Sequence, residues 1–501
     1  MADDGLTQRS TPIPSDEAPG DLDVLDTKAA GGLVLRGGLL RIIGYILGTL
    51  ASVVGAALML RHLSVADFGR YTIVLSLITI VGALTDLGLT GVGVRQSAVG
   101  DQAERERILR NLLGIRLTTS TIGILLTCAF GVAVGYPAVL IEGTAIAGVG
   151  LLMLVTLDSY TIPLQVGLQL GWTAGLDFLR QSMQTMVVVV LVLSGASLLP
   201  FTGAQLPGAA AAALVAALVI RHRTRLLPAF DRAQWRHMAR ELIPYAAASA
   251  IGAVYFRVEI VVLSLVSSEM QTGLFSAAFR ITEVVVGIPW LVASSALPVI
   301  ARAAENDRAR LAYALRQMFR ASLVAGVGIA VAIALGARFA LDIVAGPHYD
   351  ASVGVLRIQA ATVAFTFLVT QWGFALLALK QMRALLIANA IALITAVGTT
   401  VVLGNIDGAR GASLALVGAE AVLAVAYAVS LARVSDELRV RLGTLPRVAV
   451  AAAAAIGVGV LSHASSLPST IIGVVVYVVA LGLTGGLPPE LWELLPGRRI
   501  G

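Results

Sequence analysis

Fourteen predominantly apolar stretches, each about as long as a bilayer's hydrocarbon is thick, divide this chain from near its start almost to its end. They fall at 38–60, 69–93, 112–134, 144–166, 177–199, 203–220, 242–266, 271–299, 318–340, 354–379, 383–403, 409–432, 447–463 and 468–486. Inside lipid no water is available to the backbone, so such stretches must satisfy their own peptide groups as helices. A composition of 57% hydrophobic and 13% charged residues leaves little else to build with. The sequence therefore predicts an all-α polytopic membrane protein with about 14 transmembrane helices.

The distribution of cations sets the orientation. Of the 36 Lys and Arg, Arg257 and Arg280 fall inside spans, and Arg61, Arg70, Arg338, Arg357 and Arg410 flank one set of connections. The remaining 29 lie on the other side. By the positive-inside rule that richer side is cytoplasmic, which places the N- and C-termini inside and requires an even number of spans. Residues 1–34 read as a disordered acidic tail, with seven acids against Arg9 and Lys28. Residues 487–501 read as a cytoplasmic C-terminus.

Several chemistries lack their motifs. There is one cysteine, Cys128, and the five histidines show no ligand spacing, so no metal and no cofactor is expected. No nucleotide-binding loop, HExxH, GxSxG or dinucleotide turn occurs, and no outer connection is long enough for a catalytic domain; the chain reads as a non-enzyme. Basic runs such as RHRTR sit just inside the membrane, where lipid rather than nucleic acid accounts for them.

The longest inner connection, RHRTRLLPAFDRAQWRHMARELIP at Arg221–Pro244, separates the sixth span from the seventh, and its residues 221–241 read as a cytoplasmic amphipathic linker between the two units. Its second half sets Trp235, Met238 and Leu242 on one helical face, as an interfacial amphipathic helix would. This connection also divides a repeat. SVADFGRY at Ser64–Tyr71 and SEMQTGLF at Ser268–Phe275 are 204 residues apart, and each opens an outer turn with a Ser N-cap. Six spans per unit is even, so the units run parallel. Two six-helix lobes, 35–220 and 242–432, should flank a central cavity, with two additional helices at 447–486.

The stretch FRVEIVVLSL, Phe256–Leu265, places Arg257 and Glu259 within a span, where each costs about 2.5–3.5 kcal/mol even on the lenient insertion scale. Two residues apart, they lie about 200° around a helix and cannot pair. Arg280 and Glu283 in the next span can meet on one face. Arg257 and Arg280 are equidistant from the turn at Ser267 and Ser268, roughly 16 Å down, with Glu259 expected close to both. Matched arginines repel unless an anion lies between them, which points to a polar cavity with a ligand role; a purely structural ion network is the alternative. In the first unit Arg41 and Asp86 are equidistant from the turn at Ser64 and could form an inner latch, or Arg41 could reach the headgroups. Asp158, mid-span, is either a proton site or a helix-interface hydrogen bond.

The stretch from Leu39 to Ala98, LLRIIGYILGTLASVVGAALMLRHLSVADFGRYTIVLSLITIVGALTDLGLTGVGVRQSA, resembles the opening of Wzx-type polysaccharide flippases, in the multidrug, oligosaccharidyl-lipid and polysaccharide exporter superfamily. IPYAAASAIGAVYFRVEIVVLS, QTGLFSAAFRITEVV and GPHYDASVGVLRIQA are similar to the second half of such proteins. The resemblance implies alternating access and movement of a polyprenyl-diphosphate-linked oligosaccharide between leaflets of the bacterial plasma membrane, for polysaccharides such as O-antigen. Cavity cations of that family would correspond to Arg257 and Arg280, with Arg41 and Arg70 as lesser matches. Implied partners are the lipid-linked glycan, membrane lipids, and polysaccharide polymerase with other envelope glycan enzymes. A drug exporter or lipid II flippase of the same superfamily, or a membrane-embedded glycan polymerase or ligase, are the other readings. The arginine pair, placed toward the outer half, would also suit an outer gate.

Overall fold

The computed structural model describes residues 48–86, 88–99, 102–167, 169–221, 227–306, 308–439, 442–462 and 465–486. Side chains of some helix residues, including 237–249 and 304–310, fall outside that description. The acidic tail, Arg41 and the C-terminal 487–501 also lie outside the described residues.

Among the described residues all regular structure is helical, with no strand. The helices are α1 (48–62), α2 (Val65–Asp86), α3 (Leu89–Val99), α4 (Gln102–Ala133), α5 (Ala138–Val166), α6 (Leu170–Leu193), α7 (Leu198–Thr202) and α8 (Gln205–Ile220) in the first half. In the second half come α9 (Arg232–Val266), α10 (Glu269–Asn306), α11 (Arg308–Val344), α12 (Ser352–Ala378), α13 (Met382–Val434), α14 (Leu445–Leu461) and α15 (Ser466–Leu483). Among the described residues, 10 helices are long and apolar enough to cross a membrane.

One of these hides a turn. A continuous 53-residue α13 would separate Asn389 from Tyr427 by roughly 57 Å at 1.5 Å per residue. Yet the Tyr427 hydroxyl donates to Asn389 Oδ1 at 3.2 Å. The helix therefore folds back on itself, and it does so at Asp407 and Gly408, where the backbone leaves helical geometry. Gly408 has φ +50, and a Cβ on Gly411 would lie 1.8 Å from the Leu403 carbonyl oxygen, so the reversal needs glycine at both positions. Gln271 braces it, its side-chain oxygen accepting from Ala409 N–H at 2.9 Å.

Both repeat turns carry their Ser caps: Ser64 Oγ accepts from Asp67 N–H at 3.1 Å and Ser268 Oγ from Gln271 N–H at 3.3 Å. Asp67 also accepts from the Ser64 hydroxyl, whereas the Gln271 side chain is committed to α13.

The helices form two bundles, α2 to α8 and α9 to α13, with α14 and α15 packed on α11. Their apolar cores explain how the bundles sit. At the outer end, the side bearing the Ser64 and Ser268 turns, one core draws on both: Leu60, Phe68 and Ile73 pack with Phe275, Leu341 and Tyr349. Toward the inner end the core divides into one within the first bundle, around Leu109, Leu112 and Ile162, and one within the second, around Leu311, Leu376 and Leu431. One apolar core thus spans both bundles at the end bearing the two Ser turns, and separate cores serve them at the other end.

The amphipathic segment of the long connection is not a separate element. It forms the first turns of α9, which runs unbroken through residue 242; Met238 and Leu242 side chains lie outside the described residues. The Trp235 ring meets Phe230 at 5.9 Å between centroids. The preceding strap is hydrogen-bonded to α4, with Ala229 N–H donating to the Arg110 carbonyl at 2.9 Å.

Candidate functional site

Between the bundles, beneath the shared outer core, lies a cavity of about 250 Å³. α1 and α2 contribute Ser52 and Tyr71, α6 contributes Arg180 and Gln184, α9 contributes Arg257, and α10 contributes Arg280 and Glu283. Every charged side chain here is largely buried on a helix, where leaving it unpaired would be costly, so the partners of each decide what the site can hold.

Glu283 stands between two arginines. One of its carboxylate oxygens accepts from Arg257 and the other from Arg280 Nη1 at 2.9 Å. The i, i+3 spacing on α10 supplies the second contact, and the matched depth of α9 and α10 about the Ser267–Ser268 turn supplies the first. Arg280 also reaches the first bundle, donating to Ser52 Oγ at 2.6 Å. The Arg257 guanidinium lies 5.8 Å from the ring centroids of both Phe256 and Phe279, and its buried Nε has no hydrogen-bond partner. Side-chain exposures of 14%, 26% and 18% for Arg257, Arg280 and Glu283 describe a group that is half-buried and still reachable.

The opposite wall adds a cation. Arg180 on α6 has Asp177 as its ion-pair partner, 4.0 Å from its Nε, which is too long for a hydrogen bond and leaves that buried nitrogen without one. Among the described residues three arginines thus face this cavity, and the single carboxylate lining it is Glu283. A site with that excess attracts anions, and guanidinium forks match phosphate oxygens.

Glu259 is not part of this group, contrary to the expectation that it would lie close to both arginines. The 200° offset from Arg257 turns it to the far side of α9, against α13, where it is 4% exposed and within electrostatic reach of Glu420. One of its carboxylate oxygens has no hydrogen-bond partner. Glu420 accepts from the Tyr255 hydroxyl at 3.1 Å and from Thr366 at 3.4 Å.

Arg70 lies at the outer seam rather than in the cavity, paired with Asp67 at 3.0 Å and, across the bundles, with Glu269 at 2.7 Å. Asp86 is held by Arg116, which is 2% exposed and also donates to Thr90 at 3.0 Å and Ser159 at 3.3 Å. The expected Arg41–Asp86 latch involves a residue outside the described ones, and Asp86 has this other partner. Asp158 on α5 lies within electrostatic reach of Arg116 and Arg180.

The outer seam joins equivalent positions of the two repeats. A Cβ on Gly69 would lie 2.1 Å from the Glu269 carbonyl oxygen, and one on Gly273 would lie 2.0 Å from that of Val65. Each member of one contact is 204 residues from its counterpart in the other, so the contact is reciprocal about a local two-fold axis.

Sequence reasoning missed Arg180 and Arg116 because both stand within a turn or so of a span's inner end, where cations normally reach the headgroups. The available signal was an acid three residues before Arg180, at Asp177.

The model of a family described as polysaccharide biosynthesis protein matches residues 34–304, more than half of this chain. The chain belongs to that family. Its fold is similar to a lipid II flippase, MurJ, in an inward closed conformation: TM-score 0.74 at 12% identity, covering 89% of this chain and 98% of that one. It is also similar to an inward-facing multidrug resistance MATE family transporter of the MOP superfamily, with TM-score 0.60, 14% identity, and 80% and 98% covered. A MOP superfamily transporter from Pyrococcus furiosus, whose binding pocket has reverse polarity, matches with TM-score 0.56 at 15% identity over 81% of this chain and 96% of that one. At these identities the likeness is one of fold. No curated protein sequence matches this one. This family member therefore has the all-helical fold of MOP-superfamily transporters and flippases.

Proposed function

We propose that this polysaccharide biosynthesis family member is a flippase for a polyprenyl-diphosphate-linked oligosaccharide, moved from the inner to the outer leaflet of the plasma membrane. The observation that carries this reading is the cavity with Arg180, Arg257 and Arg280 against Glu283, the one lining carboxylate among the described residues. A diphosphate is a compact polyanion that can engage guanidinium groups from α6, α9 and α10 together. The polyprenyl chain stays in lipid, and the polar head crosses in the cleft, which removes the cost of taking sugar and charge through hydrocarbon.

At about 250 Å³ the cavity suits the phosphates and not a whole glycan, which would extend along the cleft between the bundles. In this state Glu283 serves as the internal counter-anion. An arriving diphosphate competes for the same guanidinium groups, and that exchange couples binding to the positions of α9 and α10. Arg257 and Arg280 are substrate-binding residues in this account, Glu283 is their counter-ion, and Arg70 belongs to the outer gate. Arg41, outside the described residues, stays a candidate at the inner end.

Deletion of the protein followed by analysis of cell lipids tests this reading. A diphosphate-linked glycan should accumulate on the cytoplasmic leaflet and disappear when the wild-type chain is restored. Unchanged lipid-linked glycans together with a changed drug susceptibility would favour an exporter of small molecules.

A further inference from the structure

A second cavity, of about 400 Å³, opens at the inner end of the second bundle, between the start of α11, the end of α13 and the start of α14. It shares no lining residue with the cavity between the bundles. Among the described residues four arginines line it, Arg316, Arg320, Arg439 and Arg447, against the one carboxylate Glu437.

These arginines are not equivalent. Arg439 pairs with Asp436 at 2.8 Å, and Arg447 donates to the Gly485 carbonyl at 3.2 Å. Arg316 and Arg320, one turn apart on α11, face the same way and have no carboxylate partner among the described residues. The Arg320 Nε is buried without a hydrogen-bond acceptor. A buried guanidinium nitrogen with nothing to donate to is a group prepared for an absent acceptor.

The floor is apolar: Phe319 and Trp372 stack with centroids 5.7 Å apart and planes 9° from parallel. Cations at the rim and rings below, at the inner ends of spanning helices, match the interface between headgroups and acyl chains.

We propose that this cleft binds the phosphate of an acidic phospholipid headgroup, held by Arg316 and Arg320 with the acyl chains over the apolar wall. A soluble phosphate ester offers the arginines the same chemistry, and competition separates the two sources. The proposal does not depend on what the central cavity carries.

The test is native mass spectrometry on the detergent-solubilised full chain with dioleoyl phosphatidylglycerol or dioleoyl phosphatidylcholine, each with and without sn-glycerol 3-phosphate. Retention of phosphatidylglycerol over phosphatidylcholine is expected, weakened about tenfold or more in the Arg316→Gln, Arg320→Gln double variant. Glu437→Gln removes the lining acid and should tighten binding, an effect that a misfolded protein would not produce. Arg433→Gln, exposed on α13 outside the cleft, should leave it unchanged. Equal retention of the two lipids, or equal losses in Arg433→Gln and the double variant, would overturn the proposal. Displacement of the lipid by sn-glycerol 3-phosphate at matched concentration would overturn the lipid source in favour of a soluble phosphate.

Discussion

The Thr72 hydroxyl hydrogen-bonds to Ser276 Oγ at 2.9 Å across the seam between the bundles, and 204 residues separate the two, the offset that aligns Ser64–Tyr71 with Ser268–Phe275. The repeat is thus also a contact: equivalent positions of the two units meet face to face where the outer side is shut. Gly69 and Gly273 flank this hydrogen bond and allow the helices their close approach.

Gly69→Ala and Gly273→Ala should each loosen the outer closure. Their methyl groups would fall about 2 Å from backbone oxygens that cannot rotate away, a misfit costing about 1–3 kcal/mol in the closed state. Externally added thiol reagent should label Thr72→Cys faster in either glycine background than alone. Equal labelling would mean that α2 and α10 are not the outer seal.

The Arg70–Glu269 pair crosses the same seam but is about one-third exposed on each side. Its loss should weaken the closure by less, about 0.2–1 kcal/mol. In the thiol assay Glu269→Gln should fall between wild type and the glycine variants, and the Arg70→Glu, Glu269→Arg exchange should recover part of the protection.

Arg116 and Arg180 should separate stability from binding. Arg116 is buried and makes several hydrogen bonds near the inner end of the first bundle. Arg116→Gln should lower thermal stability by about 1–3 kcal/mol without altering diphosphate affinity. Arg180→Gln should leave the melting temperature near wild type and weaken binding of a polyprenyl diphosphate. The reverse pattern would move the anion site from the cavity to the Asp86 cluster.

How much of this was legible beforehand depends on the range of the interactions. Spans follow from local hydropathy, and helices occupy the described parts of those positions. The meeting of Arg257, Arg280 and Glu283 followed from helical spacing about a short turn, which is local geometry. Glu259 went wrong because periodicity says which way a side chain points and not which helix waits there. α13 supplies Glu420, which lies 161 positions further along the chain. The α13 reversal shows the opposite case: the short gap between the spans at 383–403 and 409–432 marks a connection in the sequence, and the chain turns back there, at Asp407 and Gly408.

Glu283→Gln tests the counter-ion role. Without that carboxylate, Arg257 and Arg280 repel each other in the empty cavity and no internal anion competes with the ligand. Tighter diphosphate binding with slower glycan export is expected. Unchanged binding would make Glu283 a structural tie between α9 and α10.

The central claim is most directly measured by the affinity of the purified full-length protein for undecaprenyl diphosphate, comparing wild type with the Arg257→Gln, Arg280→Gln double variant and using undecaprenol as the uncharged control. The account predicts about a tenfold or greater loss for the diphosphate and no change for the alcohol. Equal diphosphate affinity in a folded double variant would contradict it.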